Sequence, residues 1–295
     1  MSKDTNCNLC GADDYQVLFA ADVAQINQIV QCNHCGLMYA NPRQQIDSDS
    51  IEEYDPNWVL DHLHEPRMQQ RIDKETLQVR DYTDTKAFLN NRFPNKGNLL
   101  EIGSGFGFLL NFFRQDGWQV TGIEPNEALC RYAESELKLS SLPLPLEKTA
   151  IADQSQDAIL MIHVIEHVAD PFACLEKVYQ VLKPGGIFVL ETPRYDTLMF
   201  KLLGKRERSL SCEGHIYFFT SDTLTQMATK AGFKVLKLDY VGRSLNFERL
   251  AYNLGVISKS KGIQQFIQWL SVKLNLKQIW FYLNVKDMQR IYLQK

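Results

Sequence analysis

Three glycines at alternate positions interrupt the segment 99–110, LLEIGSGFGFLL, and this feature restricts the fold more than any other. The apolar residues before the glycines have the pattern of a buried strand, and those after them have the pattern of a helix. Glycine destabilises the interior of a helix or strand by about 0.5–1 kcal/mol, so three of them indicate a turn with unusual backbone angles or a close neighbour. The segment therefore predicts a strand, a turn with an accessible main chain, and a helix.

Strand and helix patterns alternate on both sides of this turn. We predict strands at 98–103, 118–124, 157–164, 187–191 and 233–241. We predict helices at 106–116, 126–137, 171–182 and 220–232. Strands that alternate with helices form an open, mostly parallel α/β sheet. In such sheets a ligand binds beyond the carboxyl ends of the strands, which is where the glycine turn lies.

The turn lacks the sequence motifs of two common classes of nucleotide-binding site. A dinucleotide fingerprint needs glycine where Phe108 stands, and no GxxxxGK[ST] phosphate loop occurs in the chain. Glu124 ends the next strand, 21 residues after Gly103. A carboxylate there can accept hydrogen bonds from the hydroxyls of a ribose. A tight turn with no ligand is the alternative.

The run E-x-G-x-G-x-G from Glu101 to Gly107 resembles motif I of the class I S-adenosylmethionine-dependent methyltransferases. The segments DAILMIHVIEHVADP and LKPGGIFVLETP resemble the fourth-strand and fifth-strand motifs of that superfamily, and DMQRIYLQK resembles its last strand. The resemblance implies a Rossmann-like sheet, mostly parallel with an antiparallel last strand, and a methyltransferase activity (EC 2.1.1.-). It implies S-adenosylmethionine as cofactor, bound by Glu101, Gly103, Ser104, Gly105, Gly107, Glu124, Pro125, Asn126, Leu146 and His163.

Candidate catalytic residues lie in HVIEH at 163–167 and in GHIYFF at 214–219. Imidazole titrates near neutral pH, which suits a base for a hydroxyl or an acidic C–H group. In order of preference, our candidates are His215, His163, Glu166 and His167. The alternative is that His163 only lines the cofactor and that Glu166 and His167 fix a loop. Quinone O-methyltransferases have an acid at the position of His163, which argues against a metal-assisted catechol reaction.

Two cysteine pairs, CNLC at 7–10 and CNHC at 32–35, have the spacing of a four-thiolate zinc site. We predict a structural zinc ion held by Cys7, Cys10, Cys32 and Cys35. Redox chemistry at one pair, or four reduced cysteines, are the alternatives. The pairs together with CGLMYANPR resemble the small N-terminal metal module of bacterial methyltransferases in sugar and polysaccharide biosynthesis. That resemblance implies a sugar, a glycan precursor or another secondary metabolite as acceptor.

These patterns divide the chain into a zinc ribbon at 1–45, a helical linker or lid at 46–97, and a methyltransferase domain at 98–295. Within the last domain, 245–286 is predicted to be a helical insertion. Residues 249–295 hold eight of the 32 basic residues but one of the 35 acidic residues. The run GIQQFIQWLSVKL places apolar residues on one helical face, so the insertion is interpreted as a helical lid. The lysines beside that face make contact with an anionic membrane surface the alternative.

The remaining composition restricts location and partners. The N-terminal segment MSKDTNCNLC lacks an apolar signal sequence, so we expect a cytoplasmic protein, with peripheral contact to the inner face of the membrane as the alternative. The acidic body argues against a broad nucleic-acid surface. We therefore expect a small-molecule methyltransferase. The alternatives are an RNA methyltransferase that uses the zinc ribbon as a reader, and a non-catalytic scaffold.

Overall fold

The structure, a computed structural model, describes residues 4–21, 28–42, 57–207, 210, 214–246, 262, 269, 273 and 280–295. Its strands, in chain order from β1 to β11, are Tyr15–Phe19, Ile29–Cys32, Met38–Ala40, Asn98–Ile102, Gln119–Ile123, Ser141–Leu142, Gln156–Ile162, Leu182–Pro193, Tyr217–Phe218, Lys234–Asn246 and Trp280–Gln294. Its helices, from α1 to α8, are Trp58–Asp61, Pro66–Gln78, Thr83–Arg92, Phe108–Arg114, Glu127–Leu137, Pro171–Val181, Leu198–Leu203 and Ser221–Lys230.

Seven strands form the central sheet, in the order β10-β11-β8-β7-β4-β5-β6. The pairs among β4, β5, β6, β7 and β8 are parallel, whereas β11 is antiparallel to both β8 and β10. The predicted sheet, including its antiparallel last strand, is confirmed. Because β4 lies in the middle of the order, its carboxyl end lies at the switch point of the sheet, where the glycine turn begins.

The central strand β7 shows how the two faces of the sheet are covered. Ala158 and Leu160 belong to a core cluster with Leu89 of α3 and other residues on that face. Ile159 and Met161, which alternate with them, belong to the cluster on the opposite face. Successive side chains of a strand point to opposite faces, so a strand buried on both sides reads as a continuous apolar run. That is why DAILMI has no polar alternation.

The N-terminal cysteine segment contributes three strands to a second sheet, and a distant segment of the chain contributes the fourth. Its antiparallel order is β1-β2-β3-β9, and β9 comes from the distant segment Tyr217–Phe218. Met38 pairs with Phe218, and Tyr39 pairs with Tyr217. Tyr39 also belongs to the same core cluster as β7 residues of the central sheet. This shared strand could not be predicted from the sequence, because two residues are too few to show a periodic pattern.

The predicted insertion 245–286 falls largely outside the described residues. Strand residues occupy both of its ends, because β10 extends to Asn246 and β11 begins at Trp280. The predicted helical linker at 46–97 contains α1, α2 and α3 in its described part. None of the described helices is long and apolar enough to cross a membrane.

Candidate active site

The glycine turn connects β4 to α4 and leaves its main chain accessible at Gly105. The φ angles of Gly103, Gly105 and Gly107 are 76°, 52° and 82°, a region that favours glycine. A Cβ atom on Gly103 would lie 2.3 Å from Cγ2 of Val164. A Cβ atom on Gly105 would meet nothing within 4 Å, so open space lies beside this part of the backbone.

Glu124, at the end of β5, is directed toward this turn. One of its carboxylate oxygens accepts a hydrogen bond from the Gly105 N–H at 2.9 Å, and the other accepts one from the Asn126 N–H at 2.9 Å. Burial raises the pKa of the Glu124 carboxyl, and the two N–H donors act in the opposite direction. The side chain of Asn126 caps α5 by accepting bonds from the N–H groups of Ala128 and Leu129.

Glu101 of β4 is a buried acid with an unsatisfied oxygen. Its side chain is 4% exposed, and its Oε2 atom has no hydrogen-bond partner. Burial raises the pKa of Glu101 well above its usual range, and the nearby charge of Glu124 raises it further. An unpaired buried carboxylate is costly for the fold, and a cationic or hydrogen-bonding ligand would relieve that cost.

The other predicted cofactor residues lie around this turn with different surroundings. Ser104 is buried, with its hydroxyl 3.2 Å from that of Ser141. A Cβ atom on Gly107 would lie 3.0 Å from Cδ1 of Leu139, so close packing and the positive φ angle both favour glycine there. The side chain of Leu146 is buried in the core. Pro125 is half-buried beside Glu124.

A second group of polar side chains lies after β7, around Glu166. Its Oε2 accepts a hydrogen bond from the Thr192 hydroxyl at 2.9 Å, and its Oε1 lies 3.5 Å from Nδ1 of His163. Burial acts to raise the pKa of Glu166, but the contact with His163 and the charges of His163 and His167 outweigh it. The net pKa is therefore lowered, which means that Glu166 is a carboxylate at neutral pH.

His167 and His215 meet beside this carboxylate. Their rings pack edge to face, with centroids 4.6 Å apart, and the ligand atoms of Glu166, His167 and His215 lie within 4.8 Å of one another. Nδ1 of His215 is 3.5 Å from the hydroxyl of Tyr195. All four predicted catalytic residues are thus in one cluster, although 48 residues separate His167 from His215 in the sequence.

The loop that carries His215 is fixed from two sides. The Ile216 N–H donates to the backbone oxygen of Glu166 at 2.9 Å, and the Ala40 N–H donates to the backbone oxygen of Ile216 at 2.9 Å. The first bond joins the loop to the histidine cluster, and the second joins it to the N-terminal sheet. The position of His215 therefore depends on the cysteine-containing segment.

Sequence reasoning missed Glu191 and its partners. Oε1 of Glu191 lies 3.4 Å from Nε2 of His163, and its Oε2 accepts a hydrogen bond from Nε of Arg290 at 2.6 Å. The hydroxyl of Tyr82 donates to the same carboxylate at 3.4 Å. His163 thus lies between two buried carboxylates. One feature of the sequence could have indicated Glu191, namely an acid inside the apolar run IFVLETP. Such an acid is expected to be buried, and a buried charge requires a partner.

The four cysteines form a cluster in the N-terminal sheet. The Sγ atoms of Cys7 and Cys35 are 3.4 Å apart, those of Cys10 and Cys32 are 3.5 Å apart, and all four lie within 4.8 Å of one another. Zinc bound tetrahedrally at about 2.3 Å from each sulfur would place the sulfurs about 3.8 Å apart. Four thiolates leave no open coordination position, so these donors suit a structural metal.

Comparison with known proteins gives a consistent family. The family model described as a methyltransferase domain matches residues 70–238, more than half of the chain. A ubiquinone biosynthesis O-methyltransferase of Psychrobacter arcticus is 30% identical over 50% of this chain and 62% of its own length. A protein of the same name from Nitrobacter winogradskyi is 33% identical over 48% of this chain and 56% of its own length. The chain thus spans about six-tenths of the length of these relatives.

A solved structure shares the fold. The S-adenosylmethionine-dependent methyltransferase of Thermotoga maritima superposes with a TM-score of 0.51 at 18% identity, covering 81% of this chain and 99% of its own. The residues present fit the cofactor of that enzyme class: the backbone is open at Gly105, Glu101 has an unsatisfied buried oxygen, and Glu124 faces the turn. The chain belongs to the methyltransferase-domain family.

Proposed function

We propose that this enzyme transfers a methyl group to a hydroxyl of a small molecule, with His215 as the general base. The observation that supports this most directly is the cluster of Glu166, His167 and His215, whose ligand atoms lie within 4.8 Å of one another. The names of the curated relatives, which are O-methyltransferases of ubiquinone biosynthesis, favour a hydroxyl oxygen as the acceptor atom. A histidine base suits such a group, because its pKa is close to neutral.

On this proposal the glycine turn holds the cofactor. Glu101, Gly103, Ser104, Gly105 and Gly107 would surround the methionine end, and Glu124 would accept hydrogen bonds from the ribose. Pro125, Asn126 and Leu146 would border the adenine, and His163 would lie beside the methionine end. When bound, S-adenosylmethionine supplies a methyl group on a cationic sulfur. The chain contributes alignment, which can supply about 7–11 kcal/mol of a reaction barrier.

The acceptor residues divide into a base and its supports. His215 would take the proton of the acceptor hydroxyl, and the neighbouring Glu166 carboxylate would stabilise the resulting positive charge on the ring. Glu166 is suited to this role because its pKa is lowered and because Thr192 holds its other oxygen. His163, placed between Glu166 and Glu191, would serve to position the loop rather than to accept the proton.

The acceptor class can be narrowed by experiment. Sugars, sugar nucleotides and other glycan precursors are the first acceptors to test, because of the resemblance carried by the cysteine pairs and CGLMYANPR. The purified protein is incubated with methyl-labelled S-adenosylmethionine and a metabolite extract, and mass spectrometry identifies the labelled product. We expect a hydroxylated small molecule. Label in RNA instead would overturn the proposal, and failure to bind the cofactor in calorimetry would favour a non-catalytic scaffold.

We also propose that the cysteine cluster holds one structural zinc ion and that the chain divides into 1–45, 46–97 and 98–295. The support is the grouping of the four Sγ atoms and the positive φ angles of Gly11 and Gly36, which follow each pair. The N–H groups of these glycines donate to the backbone oxygens of Cys7 and Cys32, which closes each pair into a tight turn. Elemental analysis should give one zinc per chain, and a value near zero in protein purified without chelators would refute the metal assignment.

A further inference from the structure

The short helix α7 (Leu198–Leu203) presents its apolar side chains outward. Leu198 is 72% exposed and Leu202 is 74% exposed, and Met199 lies on the same side. At 100° per residue these three lie within one 100° arc, and Phe200 lies outside that arc. Phe200 packs inward against the rings of Phe19 and Tyr195, with centroids 6.3 Å and 5.5 Å away. The helix is therefore anchored by one ring and shows its apolar stripe to solvent.

A second element extends this apolar area. A groove of about 370 Å³ separates α7 from the β11 residues Val285 and Lys286, and Val285 is 52% exposed. These β11 residues are more than 80 positions away from α7 in the chain. Two separate segments thus contribute to one exposed apolar area, which we call the α7 surface. Clustered exposed apolar groups of this kind mark interaction sites more often than isolated ones do.

Basic side chains surround the α7 surface. Lys201, Lys205 and Arg206 are exposed on α7 and the turn that follows it, and Lys286 is exposed across the groove. From 197 to 206 the sequence contains no acidic residue, and the partly buried acid Glu207 follows this segment. Beyond Lys286 the next residue is the exposed acid Asp287, and Asp196 is paired with Arg194. The surface is thus apolar at its centre and mainly positive at its rim.

We propose that the α7 surface docks onto an anionic membrane surface. Apolar side chains that enter the headgroup region, surrounded by lysine and arginine, are what an anionic bilayer attracts. A second copy of this chain fits poorly, because a two-fold contact would bring the same basic rim onto itself. Tyr195, which packs on Phe200, also lies 3.5 Å from His215, so the surface borders the candidate site. Delivery of a membrane-borne acceptor rests on the proposed function, whereas membrane binding does not.

The test is co-sedimentation of the full chain with vesicles of phosphatidylcholine mixed with phosphatidylglycerol, and with vesicles of phosphatidylcholine alone. We expect binding to the anionic vesicles that weakens at high salt, because charge attraction is screened. The double substitution Leu198→Ser with Leu202→Ser should reduce the partition coefficient by about tenfold or more. Lys201→Glu should reduce it by about 25-fold, since each basic residue contributes about fivefold and reversal counts twice.

Matched substitutions outside the α7 surface serve as controls for its contribution to membrane binding. Val17→Ser removes an apolar side chain that is 51% exposed on β1, and Lys234→Glu reverses an exposed charge on β10; neither should change binding by more than about twofold. Cofactor affinity confirms that each variant is folded. The proposal is overturned if the wild type ignores anionic vesicles at low salt, or if the leucine variant binds as well as Val17→Ser. It is also overturned if reversing the basic residues of 259–277 alone abolishes binding, or if the leucine variant instead dissociates a dimer.

Discussion

The cofactor half and the acceptor half of the candidate site are built in different ways. Most of the cofactor half, from Glu101 to Asn126, is one continuous segment on two neighbouring parallel strands, and Leu146 and His163 border it. The acceptor half consists of His163, Glu166, His167 and His215. The loop that carries His215 is joined by a hydrogen bond to Ala40 in the N-terminal sheet. The first half is thus determined by local chain geometry, and the second depends on contacts between distant segments. Changes to distant contacts should therefore affect the acceptor half first.

The buried carboxyl groups of the two halves also differ, in the direction of their pKa shifts. Burial raises the pKa values of Glu101 and Glu124, and neither is near enough to a cation to reverse that effect. Burial acts on Glu166 as well, but His163 and His167 lower its pKa overall. The cofactor half therefore keeps an electrostatic cost that a cationic ligand can relieve, whereas the acceptor half balances its charge internally.

Replacing His215 should produce the largest effect and should separate the two halves. His215→Ala is expected to lower the rate of methyl transfer by about 10²–10⁴, the usual contribution of a positioned general base. Cofactor affinity in calorimetry should stay within about twofold, because the contacts of His215 with His167 and Tyr195 lie outside the glycine turn. His64→Ala, at an exposed histidine before α2, is the control and should match the wild type. A His215→Ala enzyme with unchanged turnover would remove the base assignment.

Loss of the proposed zinc should have the next largest effect and tests the long-range link. Cys10→Ser removes one ligand whose residue is exposed, which limits the packing disturbance. Because the Ala40 bond to Ile216 fixes the His215 loop, methyl transfer should fall about 100-fold, as for a displacement of about 1 Å in a catalytic group. Cofactor affinity should change little, and added zinc should restore activity to chelated wild type. Parallel loss of cofactor affinity would show that the two halves are not independent.

The same difference explains what the sequence could and could not predict. Strands and the glycine turn were readable because each depends on a local pattern of apolar residues and glycines. The position of Glu124 beside the glycine turn was predictable because its distance from Gly103 is set by one strand–helix–strand unit. The contact of Glu191 with Arg290 was not readable, since it joins residues 99 positions apart through tertiary packing. The pairing of Tyr39 with Tyr217 was missed for the same reason.

Replacing Glu124 should weaken the cofactor half and leave the acceptor half intact. Glu124→Gln removes the negative charge of the carboxylate that accepts hydrogen bonds from the N–H groups of Gly105 and Asn126. We expect cofactor affinity to fall about 10- to 100-fold, the effect of losing one or two hydrogen bonds to a charged group. At saturating cofactor the turnover should recover to within about threefold. Glu127→Gln is the matched control, because that acid pairs with Arg131 at the surface. A turnover defect that saturation does not relieve would contradict the separation.

Two isosteric substitutions should shift stability by small amounts in opposite directions. Without cofactor, Glu101→Gln should stabilise the protein by about 1–3 kcal/mol at pH 7, because burial opposes ionisation of the Glu101 carboxyl and a neutral amide does not carry that cost. Glu166→Gln should destabilise by a similar amount, since it removes a carboxylate that Thr192 and two histidines stabilise. In thermal melts each kcal/mol corresponds to about 2–4 °C for a protein of this size class. Glu127→Gln should not move the melting temperature measurably.

The pH dependence of these shifts follows from the direction of each pKa change. The pKa of folded Glu166 lies below its ordinary value of 4.5, so its stabilising contribution is full above that value and disappears as pH falls through the lower folded pKa. The pKa of folded Glu101 lies above 4.5, so its contribution is full below that value and is lost as pH rises through the raised folded pKa. Glu101→Gln should therefore raise the melting temperature near pH 7 and have little effect near pH 4. Glu166→Gln should lower it near pH 7, and that loss should shrink only below pH 4.5. The melting temperatures of both variants are measured across this pH range. If both variants shifted the melting temperature in the same direction, the two carboxyl groups would have similar surroundings, and the electrostatic difference between the halves would be refuted.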